Sequence, residues 1–300
     1  MVIVFGSIGL DIVQSVHALP RAGETVLTED YIMLPGGKGA NQALAAARAG
    51  ADVQFVGSVG DDDFGQRALT NLKSAGVDLS AVAKGSRPTA CATISVDHRG
   101  ENQIVVSSGA NLATTTGQLQ PHQGDLVLQQ MEITPAQIWA GIDLAHEHGA
   151  RTILNAAPFQ AIPVSALEKL DTLIVNEVEA EMMAADLGLD HQDLHAACAA
   201  IQARFDLTVV LTLGGQGAAA FRQGERFMAG ALKITALDTV GAGDAFVGAY
   251  VAALSADMSL ADCLRWGSVA GGLACLSPGA QDGVPGHEEI AARIGEISLL

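Results

Sequence analysis

Apolar and polar positions follow two rhythms along this chain: short, almost wholly apolar runs recur, and longer stretches with helical spacing separate them. VIVFG (2–6), VQFVGSVG (53–60), DLVLQQ (125–130), RTILN (151–155), DTLIVN (171–176) and TVVLTLG (208–214) read as strands buried on both faces. Helices are expected at 38–49 (KGANQALAAARA), at 64–75, from Pro135 to His148, and within 191–205. A further helix opens on the glycine-rich turn of DTVGAGDAFVGAYVAAL (238–254). This alternation predicts an α/β fold: a doubly wound, mostly parallel sheet with helices on both faces. Two segments break the rhythm, approximately 11–34 and 87–107, where TACATISVD and NQIVVSSG alternate with no helix between them. They read as antiparallel strands that combine into one small sheet, a lid over a cleft. With no internal repeat and no low-complexity linker, residues 1–300 are expected to form a single domain that carries the lid as insertions.

In open α/β sheets, ligands collect outside the carboxyl ends of the strands. Polar or glycine-rich residues recur at those ends: Gly6-Ser7 with Asp11, Gln130 with Glu132, Asn155, Asn176 with Glu179, Thr212-Leu213-Gly214-Gly215, and Gly241-Ala242-Gly243-Asp244. Such repetition points to one face with a site. The 241–244 turn offers unpaired N–H groups and a helix dipole to an anion. Asp244 in that turn has two readings, a helix cap or a base that takes a proton from an attacking hydroxyl. LPGGKGANQALAAA (34–47) is a second glycine-rich helix entry without the Walker A pattern. It is either a tight packing loop or a place where backbone amides and Asn41 approach a polyol. Asn176 and Glu179, three apart on a first helical turn, are either a cap with an acidic first turn or a water-rich Mg²⁺ site. His191 and His195 stand four apart with no third ligand in view, so an exposed helix face is the better reading.

Composition narrows the partners. The chain is 49% hydrophobic and 16% charged, which excludes disorder; its 33 acidic and 16 basic residues give a net charge of −17. Such a surface repels phosphate polymers and anionic lipid, so neither nucleic acid nor a membrane is an expected partner. Any anionic ligand must rely on backbone dipoles, a few cations or a metal. Cys91, Cys198, Cys263 and Cys275 form no C-x-x-C and sit in apolar contexts, as free thiols of a reducing compartment do. MVIVFGSIGLD reads as a strand and not a signal peptide, and no run is apolar long enough to span a bilayer. A cytoplasmic location is expected.

The segments GSIGLD (6–11), GGKGANQA (36–43), GENQIVVSSGAN (100–111), LQQMEI (128–133), LNAAP (154–158), NEVEAE (176–181), TLGGQG (212–217), DTVGAGDAFVGA (238–249) and PGAQDGVP (278–285) together resemble the ribokinase-like (PfkB) carbohydrate kinases over nearly the full length. The middle segments look most like the ribokinase branch. The resemblance implies ATP-dependent phosphorylation of a primary hydroxyl of a pentose, ribose first. The alternatives are a nucleoside or hexose kinase of the same family, or a non-catalytic sugar-binding protein. It implies Asp244 as base and Gly241, Ala242 and Gly243 as the anion hole. Asp11, Gly37, Lys38, Asn41 and Glu132 would meet the sugar, with Lys38 also near the phosphates. Asn176 and Glu179 would organise Mg²⁺ through water, and Thr212, Gly214 and Gly217 would border the nucleotide. Asp238 with carbonyls of Val240, Ala274, Ser277 and Gly279 resembles the family's K⁺ site, and the lid would join two copies into a homodimer. Two positions depart from the pattern. Gly9 replaces an Asn that contacts the sugar, removing a donor–acceptor pair and opening space; Gly283 stands near the cation site where Ser is common.

Overall fold

The computed structural model describes residues 1–299. The chain enters through β1 (Val2–Phe5), leaves the core for β2 (Gly9–Ser15) and β3 (Ile32–Gly36), and returns along α1 (Lys38–Arg48) to β4 (Val53–Gly60). Two short helices, α2 (Asp63–Ala68) and α3 (Thr70–Ser74), precede β5 (Val82–Gly85) and a second excursion of β6 (Ala90–Val96) and β7 (Asn102–Ser107). Strands and helices then alternate: β8 (Leu126–Gln129), α4 (Pro135–Glu147), β9 (Arg151–Asn155), α5 (Val164–Leu167), β10 (Thr172–Asn176), α6 (Glu177–Asp186), α7 (Leu194–Phe205) and β11 (Thr208–Thr212). A hairpin of β12 (Ala218–Arg222) and β13 (Glu225–Ala229) leads to α8 (Ala242–Ser255), α9 (Leu260–Ala274) and α10 (His287–Arg293).

Nine strands form the main sheet in the order β13-β12-β11-β10-β9-β8-β1-β4-β5, parallel except for the β12–β13 hairpin at one edge. Each face is covered, which is why the strands read as continuous apolar runs. Along β1 the alternation of side chains divides the interior in two. Val2 and Val4 join the core beneath α1, α8 and α9, whereas Ile3 and Phe5 join the core beneath α4, α6 and α7.

The two excursions meet as a four-stranded sheet in the order β3-β2-β6-β7. Its outer pairs, β2·β3 and β6·β7, are antiparallel as expected, while the central pair β2·β6 is parallel. The reason lies in the main sheet. Both excursions start beyond parallel strands, so their outgoing strands point the same way and only their return strands reverse. The lid strands begin at Gly9 and close at Gly36, and residues 16–31 carry no strand. The helix expected over 64–75 is two, α2 and α3. The Thr70 hydroxyl donates to the Gln66 carbonyl (3.1 Å), the acceptor a continuous helix gives to its N–H.

Candidate active site

Sequence order reverses about β1, which has β4 on one side and β8 on the other, so a crevice opens beyond its carboxyl end. The residues leaving β1 and β8 meet there. Ser7 Oγ donates to Glu132 Oε2 (2.6 Å), and the Lys38 N–H donates to the same oxygen (2.9 Å). Asp11, on β2, packs its carboxylate against the backbone of Gly36 so closely that a Cβ there would lie 2.6 Å from Oδ2. Burial, with the Glu132 charge adding to it, pushes the Asp11 carboxyl up to about 6. The Glu132 carboxylate thus meets the turn that enters α1, where Gly37 has a positive φ of 90°. Gly9 does not open the space expected of it. A Cβ at residue 9 would lie 2.7 Å from the Ala90 carbonyl oxygen, because β6 pairs tightly with β2 at that register. The apparent vacancy is filled by backbone.

The turn before α8 bears on the capping reading of Asp244. Gly241, at φ 78°, is the N-cap residue, and no side chain caps this helix. Asp244 lies inside the first turn, buried, and its carboxylate points away from the helix N–H groups. Asn41 Nδ2 donates to Oδ2 (2.9 Å) and Gln42 Nε2 donates to Oδ1 (2.8 Å). Both donors come from the first turn of α1. That helix packs against α8 through Gly248, where a Cβ would lie 2.5 Å from Ala45 Cβ.

Lys38, Asn176, Glu179, Thr212, Gly241, Gly243 and Asp244 share one cavity of about 230 Å³ at the strand ends. Ala242 is the first helical residue beside it. Asp244 is the main reason the Lys38 ammonium holds its proton above the usual lysine range; burial opposes this, and Glu132 and Glu179 add to it. Asn176 and Glu179 form a reciprocal capping box. Glu179 N–H donates to Asn176 Oδ1 (2.8 Å), and Asn176 N–H donates to Glu179 Oε2 (2.8 Å). The capping reading therefore holds, and it leaves Glu179 Oε1 and Asn176 Nδ2 without protein partners. Burial raises the Glu179 carboxyl above its ordinary range, with the Asn176 N–H and Lys38 pulling it back and Asp244 adding to the rise. A buried, half-satisfied carboxylate beside an amide fits a water-bound divalent cation.

The remaining predicted residues lie around this cavity. Gly214 is exposed on the turn after β11, whereas Gly217, at φ 101°, is buried where the chain turns into β12. Asp238 accepts from the Val240 N–H (3.0 Å) and the Gly279 N–H (2.8 Å), tying two loops together. Ser277 N–H reaches the Ala274 carbonyl at a long 3.4 Å. Gly283 lies against the same carbonyl, and a Cβ there would be 2.6 Å from it, so this backbone has no room for the serine of the family pattern. His191 is exposed and the His195 ring lies edge-on to Phe221. Among the described residues no group of three or more His, Cys, Asp or Glu is placed to hold a metal ion. The four cysteines are unpaired thiols, three of them buried. Among the described residues no helix is long and apolar enough to cross a membrane.

Sequence reasoning missed Gln42 and Gln281. Gln42 was hidden beside Asn41 on a helical first turn, and Gln281 lay in a loop whose glycines and proline drew the eye. Their role depends on partners far away in sequence.

The start of α8, with its backbone N–H groups, and the Asp244 carboxylate, which accepts from two side-chain amides, border the same cavity. Residues 1–286 match the model of the pfkB family carbohydrate kinases, and the chain belongs to that family. It is an ATP-dependent carbohydrate kinase, ribokinase-like in sequence and fold. It is 33% identical to the ribokinase of Haemophilus influenzae over 292 residues, covering 95% of each chain. The ribokinase structure from Thermotoga maritima superposes with a TM-score of 0.86 at 28% identity, covering 98% of this chain and 99% of the other. The Arabidopsis thaliana ribokinase complexed with ribose and ATP gives a TM-score of 0.87 at 27% identity, covering 98% of each.

Proposed function

We propose that this kinase phosphorylates the primary hydroxyl of a pentose, converting ribose to ribose 5-phosphate with ATP, in the cytoplasm. The observation that carries the reading is the Asp244 carboxylate, held by Asn41 and Gln42 at the N-terminal turn of α8 and facing the cavity. Asp11, Gly37, Lys38, Asn41 and Glu132 bind the sugar. The unpartnered Asp11 carboxylate, which holds its proton too tightly when alone, gains from sugar hydroxyls that donate to it. Asp244 takes the hydroxyl proton, while N–H groups of 241–243 and the Lys38 ammonium meet the transferred charge. Thr212, Gly214 and Gly217 border the nucleotide. Asn176 and Glu179 would hold Mg²⁺ through water. When bound, the ion neutralises charge on the phosphoryl oxygens. The loops joined by Asp238 present the carbonyls of Val240, Ala274, Ser277 and Gly279 for a monovalent cation, K⁺ by the family pattern. The lid excludes water from the reaction.

Two copies pair through their lids. The support is an apolar lid edge left open in the single chain: Ile104, Val105 and Val106, on alternating faces of the edge strand β7, and Tyr31 and Ile32 at the opposite edge are exposed.

The test is a panel of pentoses, hexoses and nucleosides with ATP, each with and without K⁺. Ribose should give the highest kcat/KM, and K⁺ should raise turnover. Failure of every pentose to turn over ends the reading.

A further inference from the structure

Asp244 sits at the centre of a continuous chain of side-chain amides. On one arm, Gln42 Nε2 donates to Asp244 Oδ1 (2.8 Å) and to Asn155 Oδ1 (2.9 Å). Gln130 Nε2 donates to Gln42 Oε1 (2.7 Å), and Asn155 Nδ2 donates to the Ile174 carbonyl (3.2 Å). On the other arm, Asn41 Nδ2 donates to Asp244 Oδ2 (2.9 Å) and Gln281 Nε2 donates to Asn41 Oδ1 (2.9 Å). Asn71 Nδ2 then donates to Gln281 Oε1 (2.9 Å). Along this arm every amide turns its nitrogen toward the carboxylate and its oxygen away.

That polarity has a cause. An ionised carboxylate only accepts, whereas an amide can be turned either way. In a buried site, one reversed amide sets two oxygens against each other along the whole arm. The first arm ends on the Ile174 carbonyl and the Asp244 carboxylate, two obligatory acceptors. The second arm depends on Gln281, which is 2% exposed. Its loop is fastened twice. Arg48 Nη1 donates to the carbonyls of Gln281 (3.0 Å) and Val284 (2.8 Å). Ala280 lies so close to Gly241 that a Cβ on the glycine would be 2.6 Å from Ala280 Cα. One loop therefore shapes the anion turn and backs the base.

We propose that Gln281 is a positioning residue for phosphoryl transfer, holding the Asn41 amide nitrogen on Asp244 Oδ2 so that the base keeps its orientation toward the acceptor hydroxyl. Gln281 makes no hydrogen bond to Asp244 and acts through Asn41, and the inference rests on Asp244 being the base.

Two substitutions separate polarity from packing. Gln281→Met keeps the length and removes both polar atoms; Gln281→Glu keeps the shape and places an oxygen where the donor was. Steady-state kinetics with ribose and ATP, read beside thermal melts, compare them with the parent enzyme. The expected kcat losses are about tenfold for Gln281→Met and about a hundredfold for Gln281→Glu, with KM for ATP within about threefold. Asn71→Asp, on α3 and outside the cavity, reverses the same arm one step further out and should lower kcat in the same sense. If Gln281→Glu does not fold, the Met and Asn71→Asp variants carry the comparison. Equal losses in the Met and acidic variants, or kcat within about twofold of the parent in folded variants, would overturn the proposal. Asp244→Asn serves as the control. If it still turns over, the base assignment falls and this inference with it. If it is inactive while the Gln281 variants match the parent, only the positioning role falls.

Discussion

Asp244 stands in the first turn of α8, three residues past the N-cap, and both of its oxygens accept from side chains of another helix. Replacing it by Asn keeps the shape and removes the basic oxygen. Asp244→Asn should lower kcat about 10²–10⁴-fold while leaving sugar affinity, measured by calorimetry, within a few-fold of the parent. Asp11 makes a second residue-level prediction through its proton. The folded state holds that proton up to about pH 6, whereas the unfolded chain releases it near 3.8. The folded state therefore binds more protons between those values, so this group's contribution is fully present below the unfolded value and is lost as pH rises through the folded one. The loss is at most about 3 kcal/mol. Asp11→Asn should then raise the melting temperature of the sugar-free protein at pH 7.5 but not at pH 4, and should also raise the sugar KM at least about tenfold. A melting curve unchanged at pH 7.5 would show that Asp11 carries no such penalty.

At the scale of elements, the site depends on α1 and α8 touching. Asn41 and Gln42 reach Asp244 because Gly248 lets the two helices approach, with a Cβ there only 2.5 Å from Ala45 Cβ and the Gln42 carbonyl. Gly248→Ala should cost about 1–3 kcal/mol by overpacking. It should also lower kcat, since the strain falls on Gln42, which holds the proposed base Asp244. Urea unfolding and kinetics on the same preparation check both, and a stable variant with full kcat would mean the helices have slack. The lid is also tied to a neighbouring element. Asp62, the N-cap of α2, accepts from the Thr89 N–H (2.8 Å) and hydroxyl (2.6 Å) just where the chain enters β6.

For the whole molecule, the proposed pairing of two copies through the lid makes a prediction. A charge on its open apolar strand should prevent pairing: Val105→Glu is expected to sediment as a monomer and to bind sugar more weakly than the parent. A parent enzyme that is monomeric at working concentration would remove the dimer from the proposal. Much of this architecture was legible in the chain. The main-sheet strands from Val2 to Thr212 were readable, because strands buried on both faces are apolar at every position; the exception is the short edge strand β5, VAKG, which is mostly exposed and was not predicted. The β12–β13 hairpin, α9 and α10 were not predicted; AAAFR and ERFMA are short and compositionally plain, so only pairing across the hairpin distinguishes them.

The sequence by itself determined the α/β rhythm, the glycine-rich helix entries and the gathering of polar residues at strand ends, because each is written in local periodicity and turn chemistry. Tertiary structure alone decided three further points. It tied the Asp244 carboxylate to another helix, because the donor on Oδ2 lies 203 residues away in the chain. It closed the space at Gly9, because the filling atom belongs to β6. It ran the lid's central pair parallel, because two distant excursions leave strands, β1 and β5, that run the same way in one sheet. Each of these depends on a neighbour in space that no local window of sequence contains.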